Sequence, residues 1–350
     1  GLWMGLGFLS KYTALFQMLC WAVFFILWPP ARRQIRRPGP YLALLITAAC
    51  SLPVLIWNSQ NGWITVTHLA NRGGLDQIWS PTLRFFWDFL AAESVLLNPV
   101  FFIFILWTSL AFWQRHHRTG LTIYLFSMGA PLFLFYFLYT LRARVQPNWI
   151  VPSVLPLFGL LVVYWEKRWR EGARFIKPWL IVGVGLGIIG VVLLHNTDLI
   201  RKITGYALPA ERDPLRRVRA WRDLALKVGQ ARSELAREGK PVFIIGDHYG
   251  ITGLISFYLP EGKAVVPHDP LVYYQSSTHP ENQFYFWPGY RQRQGQNAIY
   301  VRQNETPSAP PERITKEFAS VIDLGMIEIP YRGQVFHRVQ LFACRDLRTP

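Results

Sequence analysis

Six apolar runs, each close to the length that crosses a bilayer, constrain this chain more than any other feature. They fall at about 12–29, 41–58, 96–113, 120–141, 149–165 and 178–195, where roughly 20 apolar residues are needed for a helix to span the hydrocarbon core. Pro29-Pro30 closes the first run, and Pro53 sits in the second as a tolerated kink. With 51% hydrophobic and only 17% charged residues, the chain is too apolar for an ordinary soluble protein. The expected fold class is an α-helical polytopic membrane protein over 1–197, followed by a small α/β extracytoplasmic domain over 198–350.

The net charge of +16 invites a nucleic-acid reading, but its distribution argues against one. Residues 198–350 carry 21 Lys and Arg against 16 Asp and Glu, whereas residues 1–197 carry 16 against 5. Three dense basic clusters fall in alternate intervals between apolar runs: Arg32 to Arg37, Arg115 to Arg118 with His116 and His117, and Lys167 to Lys177. The positive-inside rule then makes all three cytoplasmic. Residues 59–95 and 142–148, and everything after 195, are expected to face outward. Cys20, Cys50 and Cys344 give no disulfide framework. The chain starts at Gly1 inside an apolar run that lacks a basic start and a cleavage site. It is expected to be the C-terminal part of a longer protein.

Lys11 sits between two membrane-grade segments, an outward run ending near residue 9 and an inward one from residue 12. A lysine there either snorkels at the face or holds a lipid phosphate. Arg142 and Arg144 lie in an outward loop, against the charge bias, which favours an anionic partner. Gln146, Asn148 and Trp149 follow them, with side chains that can hydrogen-bond or stack on a sugar; Trp149 also reads as an interfacial anchor. The loop from Trp57 through Asn58, His68 and Arg72 is similarly rich in sugar-compatible groups, and His68 is either a metal ligand, a base or neither. Gly185-x-Gly187-x-x-Gly190 matches the dinucleotide fingerprint but lies inside the last apolar run with no preceding strand, so it reads as helix packing.

In residues 198–350, the stretch 212–237 reads as a charged amphipathic helix. Residues 241–246 and 297–301 read as buried strands, 251–259 as a short helix and 311–320 as a helix. Residues 321–329 and 335–343 read as paired strands about Tyr331-Arg332-Gly333. Asp247, His248 and Tyr249 follow a strand end, a favoured place for sites in α/β folds, and also fit a helix cap. Residues 282–289 form an aromatic stretch placed to pack on the membrane part or to touch an acceptor.

The stretch Gly1 to Ala14, with Gly5-Leu6-Gly7 and Ser10-Lys11-Tyr12-Thr13, resembles glycosyltransferase family 39. That group includes the bacterial relatives of protein O-mannosyltransferase and the lipid A aminoarabinose transferase. The likeness continues through Leu55 to Trp63, Arg144 to Trp149, Pro152 and Pro156, Gly246 to Gly250 and Phe257 to Pro260. The resemblance implies the C-terminal part of a GT-C type fold in a bacterial inner membrane, with the C-terminal domain periplasmic. It implies transfer of a sugar from a polyprenyl-phosphate donor to a lipid or protein acceptor at the outer face. Cations must stabilise the departing phosphate, and an aspartate acts as base on the acceptor hydroxyl. Lys11, with Arg142 or Arg144, maps to the phosphate-binding positions. Tyr12, Asn58, His68, Arg72, Gln146, Asn148 and Trp149 are carried over as substrate-binding positions. The base is expected upstream of Gly1, since Asp76, Asp88 and Glu93 are not promoted to that role. No cofactor is certain; some relatives bind a divalent metal with a loop histidine, for which His68 is the candidate. The competing reading is a non-catalytic transport or envelope-assembly factor with an extracytoplasmic binding domain. The near absence of charges inside the apolar runs weighs against a transporter.

Overall fold

The computed structural model describes residues 1–348 apart from 76, 77, 79, 115–117, 267, 278, 279 and 281, together with all but the side chain of Arg72 within its helix. The expected carboxylate Asp76, and His116 and His117 of the second basic cluster, lie outside the described residues. The chain divides into two compact units, 1–190 and 191–350.

The first unit is helical. It comprises α1 (Leu2–Ser10), α2 (Phe16–Leu27), α3 (Pro29–Arg32), α4 (Pro38–Gln60), α5 (Ile64–Arg72), α6 (Arg84–Leu96), α7 (Pro99–Ala111), α8 (Gly120–Tyr139), α9 (Val151–Arg170) and α10 (Ile176–His195). Three of these, α4, α8 and α10, are long and apolar enough to cross a membrane. Residues 12–27 with 29–36, and α6 with α7, form two further candidates, bent by 113° and 112°. The expected fifth run does form a helix, α9, but its last turn carries Lys167, Arg168 and Arg170.

The expected loop over 59–95 is instead largely helical, holding α5 and α6. The first run is a 3-10 turn over Tyr12–Leu15 followed by α2, not one continuous helix. Asn98 makes the break before α7. It takes a positive φ of 68°, its side chain caps the Val100 N–H, and Pro99 occupies the first helical position, where its missing N–H leaves no bond unmade.

Helix contacts fix directions. Gly1 abuts Ala43, and Gly5 abuts Thr47 and Cys50, so α1 runs alongside α4 in the same sense; a Cβ on Gly5 would sit 2.5 Å from that of Cys50. The chain turns back at Lys11, because the Ala14 methyl lies 3.3 Å from where a Gly7 Cβ would be. Phe16 meets Phe135 and Tyr136 while Phe24 meets Tyr124, so α2 and α8 are antiparallel. Gly129 abuts Ser153 and Leu157 while Gly159 abuts Leu125, so α8 and α9 are antiparallel as well. In the same way α7 runs with α9 and against α10, through Phe101–Phe158, Phe104–Trp165 and the Asn98 amide donating to the Gly183 carbonyl. Arg32 to Arg37, Arg118 and Lys167 to Lys177 therefore lie at one end of the unit. The ends of α1, α4 and α8 lie at the other.

The second unit contains α11 (Asp198–Thr204), α12 (Trp221–Ala236), β1 (Val242–Gly246), α13 (Tyr249–Tyr258), α14 (Pro260–Val265), β2 (Val272–Tyr274), β3 (Asn297–Gln303), α15 (Glu312–Glu317), β4 (Phe318–Tyr331) and β5 (Gln334–Leu347). The helix expected over 212–237 begins only at Trp221, after two 3-10 turns. The sheet order is β2-β1-β3-β5-β4, with β2, β1 and β3 parallel and β5 antiparallel to both neighbours. All of β1 is buried, as an unbroken apolar run in a parallel sheet must be. Arg332 and Gly333 both take positive φ, the two-residue hairpin geometry that matches strand twist. On one face, α12 and α13 pack over Val242, Ile244, Ile299 and Val301; the other face buries Phe243, Ile245, Tyr300 and Phe342 beside Ile314.

Candidate functional site

The end of the first unit opposite the basic clusters gathers most of the expected site. Tyr136, in the last turns of α8, packs on Phe16 at 5.8 Å between ring centroids and on Trp149 at 5.6 Å. Phe16 begins α2, five residues after Lys11. That pair of contacts brings the Lys11–Tyr12 turn and the 142–149 segment to one cluster, whose buried members are Phe89, Leu132, Tyr136, Val145 and Ile150. Tyr139 donates to the Gly73 carbonyl at 2.6 Å, and Arg142 donates to the Gly74 carbonyl at 3.0 Å. These two bonds tie the turn after α5 to the same end.

Lys11 is exposed and has extended backbone. Its N–H closes α1 on the Gly7 carbonyl at 2.8 Å. The run breaks there because the next residues start a 3-10 turn rather than extend α1. Tyr12 is half-buried with its ring 5.2 Å from that of Phe8. Arg144, Gln146 and Asn148 are exposed around buried Val145 and Ile150, while Trp149 is half-buried. The alternation holds the segment down by its apolar residues and leaves its polar ones outward. Two guanidiniums, an ammonium, amides and an indole at one end can hold an anion and a hydroxylated ring.

Other expected residues are placed differently. Asn58 is 3% exposed. Its amide donates to the Val54 carbonyl at 2.9 Å and accepts the Thr65 N–H at 3.2 Å. It joins α4 to α5 and is spent on that turn, so it is withdrawn as a substrate ligand. His68 lies on α5, not in a loop, and is exposed. Among the described residues no group of three His, Cys, Asp or Glu side chains is placed to hold a metal ion. Arg72 ends α5.

One residue deserves promotion on the geometry. Glu93 is 1% exposed, and its Oε1 has no hydrogen-bond partner. It lies on α6 one turn from Phe89 and one turn before Leu97, both in the same cluster, and α6 packs against the 3-10 turn Pro147–Trp149. A lone carboxyl in such a place marks function by default. The sequence signal was only its 89-93-97 helical spacing. Asp88, by contrast, is exposed.

Comparison with known proteins bears on this end of the molecule. Residues 1–57 match the family model described as dolichyl-phosphate-mannose-protein mannosyltransferase. The resemblance to glycosyltransferase family 39 is shown. Lipid A galacturonosyltransferase RgtD of Rhizobium johnstonii is 28% identical over 178 residues, 50% of this chain and 36% of that protein. The match thus spans about a third of that relative's length. No solved structure matches the chain.

Proposed function

We propose that this chain is part of a membrane glycosyltransferase that moves a sugar from a polyprenyl-phosphate donor to a lipid or protein acceptor. The observation that carries the reading is the gathering of Lys11, Arg142, Arg144, Asn148 and Trp149 at one end of a helical unit whose other end holds the basic clusters. With the basic end cytoplasmic, the site faces outward, and residues 198–350 form a periplasmic domain of a bacterial inner-membrane protein.

In this reading Lys11 and Arg144 meet the donor phosphate and offset the charge that grows on it as the glycosidic bond breaks. Arg142 holds the turn at Gly74 and completes the cationic wall. Asn148 and Trp149 orient the sugar, and Tyr12 lines the approach. In this reading the acceptor base lies outside these residues. An apolar cavity of about 760 Å³ runs between α2, α7 and α8, lined by Leu19, Val23, Leu106, Leu110, Leu134 and Leu138 among others. Its apolar lining suits a prenyl chain. The galacturonosyl relative favours an acidic sugar or a lipid acceptor as the first to try.

The test is transfer by the full-length protein in lipid nanodiscs, with polyprenyl-phosphate-linked sugars as donors and a membrane lipid extract as acceptor. Labelled sugar in the extract, with matching release of polyprenyl phosphate, supports the reading. Donor binding with no release of polyprenyl phosphate would favour the non-catalytic alternative.

A further inference from the structure

We propose that the basic end of the helical unit binds an anionic phospholipid, with its phosphate on Arg33, Arg36 and Arg37 and an acyl chain in the aromatic cleft beside them. The site lies at the end opposite the Tyr136 cluster and does not depend on the transfer reaction. It rests on a cleft that the helix packing leaves open, and on three cations to which that end of the chain offers no counter-ion.

The chain bends sharply where α2 ends. Trp28 is extended, and Pro29 and Pro30 open the next turn, where their missing N–H groups leave no bond unmade. Residues 29–36 run at 113° to residues 12–27. With α2 crossing the bilayer, this segment lies close to the membrane plane. Beside it a cleft of about 340 Å³ remains between α2, α8 and the start of α4. Trp21, Phe24 and Phe25 of α2 line it, with Tyr124 of α8, Gln34 of the bent segment and Gly39 of α4. The Phe24 and Tyr124 rings meet edge to face at 5.7 Å and join two of its walls. Tyr124 is 47% exposed, and a Cβ on Gly39 would meet nothing within 4 Å, so the cleft is reached from outside.

The bent segment is strongly basic. Arg32 spends its guanidinium on carbonyls that the end of α2 leaves free: Nε donates to Phe25 at 2.9 Å and Nη2 donates to Ile26. Arg33, Arg36 and Arg37 are exposed. Arg33 to Arg36 form a 3-10 turn, closed by the Arg37 N–H on the Gln34 carbonyl at 2.9 Å. Residues three apart eclipse in such a turn. Arg33 and Arg36 therefore stand on one edge, and Arg37 continues the edge of Gln34, which lines the cleft. No acidic residue precedes Asp76 in the chain. Asp88 and Glu93 belong to α6, whose Phe89 joins the cluster at the opposite end. Glu166 and Glu171 do lie at the basic end, but they pair with their own neighbours Arg170, Lys167 and Arg168. Among the described residues, then, no carboxylate answers Arg33, Arg36 and Arg37.

An anionic phospholipid answers both halves of the site. Guanidiniums pair with phosphate oxygens through two parallel N–H bonds, and basic side chains at a membrane surface draw anionic lipid to them. The glycerol and the first methylenes of a chain then meet Trp21 and Tyr124, side chains of the kind that gather at headgroup depth. A zwitterionic lipid carries its own cation back toward three arginines and is disfavoured by the same charge argument.

The experiment is native mass spectrometry of the full-length protein in detergent, titrated with palmitoyl-oleoyl phosphatidylglycerol or with the phosphatidylcholine of the same chains. Saturable binding of phosphatidylglycerol is expected, with phosphatidylcholine about tenfold weaker or worse. The combined variant Arg33→Gln, Arg36→Gln, Arg37→Gln should weaken phosphatidylglycerol about tenfold or more. Gln34→Trp, at an exposed position, keeps all three charges and fills the cleft. It should weaken phosphatidylglycerol several-fold, and it decides the matter if loss of the arginines disturbs membrane insertion. Equal binding of the two lipids would overturn the proposal. So would phosphatidylglycerol affinity unchanged in Gln34→Trp, or unchanged in a properly inserted triple glutamine variant.

Discussion

The Trp149 indole rests on the Tyr136 ring at 5.6 Å between centroids, and this contact sets the 142–150 segment on the end of α8. Tyr136 is buried and also receives Phe16. Tyr136→Ala should therefore release both Trp149 and the start of α2. The expected result is faster amide exchange across 142–150 and across the Lys11–Phe16 turn, with α9 and α10 protected as before. Exchange confined to the substituted position would contradict this linkage.

Arg142 and Arg144 should separate on substitution. Arg142 holds the Gly74 carbonyl, so Arg142→Ala should lower both melting temperature and transfer. Arg144 is exposed, so Arg144→Ala should leave melting unchanged within about 0.5 kcal/mol while weakening donor binding. Parallel thermal melts and donor-binding curves distinguish the two.

Glu93 gives a sharper contrast. Glu93→Gln keeps the shape and removes the ionisable group. It should retain the fold and lower transfer about tenfold or more. A Glu93→Gln protein with undiminished transfer would assign Glu93 to packing alone.

Gly129 lets α8 approach α9, since a Cβ there would lie 2.6 Å from Leu157 Cγ and 2.8 Å from the Ser153 carbonyl oxygen. Gly129→Val should cost about 1–3 kcal/mol through overpacking. Loss of monodisperse protein in detergent, or a lowered melting temperature, reads this out.

The second unit should weaken in mild acid. His337 is 3% exposed, is stacked on Trp221 at 4.0 Å and has Nε2 2.7 Å from the Arg219 carbonyl. Burial lowers its pKa below the ordinary histidine value, partly opposed by that hydrogen bond. The unfolded chain then binds the proton more readily than the folded one. Stability from this group is full above about pH 6.5 and is lost as pH falls through and below it. The melting temperature of the second unit should fall across that window, and His337→Gln should flatten the fall.

Much of this architecture was legible because bilayer length and alternating basic clusters are long-range signals. The ends of α4, α8 and α10 lie within a few residues of the apolar runs that foretold them. The Arg332-Gly333 hairpin was legible from its turn residues. β2 was not, because three residues show no period. α5 and α6 were hidden by their aromatic and polar mix, which reads as loop until Asn98-Pro99 is recognised as a helix break. Asn58 looked like a sugar ligand because burial of an amide at a helix end is not visible in sequence. Glu93 was passed over for the converse reason: its spacing with Phe89 and Leu97 was visible, but the absence of a partner was not.

The proposed donor site turns on Lys11. The decisive measurement is the initial rate of sugar transfer from a polyprenyl-phosphate donor by the full-length protein and its Lys11→Ala variant, matched for membrane insertion. The expected result is a loss of about a hundredfold in rate, the scale of removing one transition-state charge partner, with partial recovery in Lys11→Arg. Equal rates for wild type and Lys11→Ala would contradict the placement of the donor phosphate at this end of the helical unit.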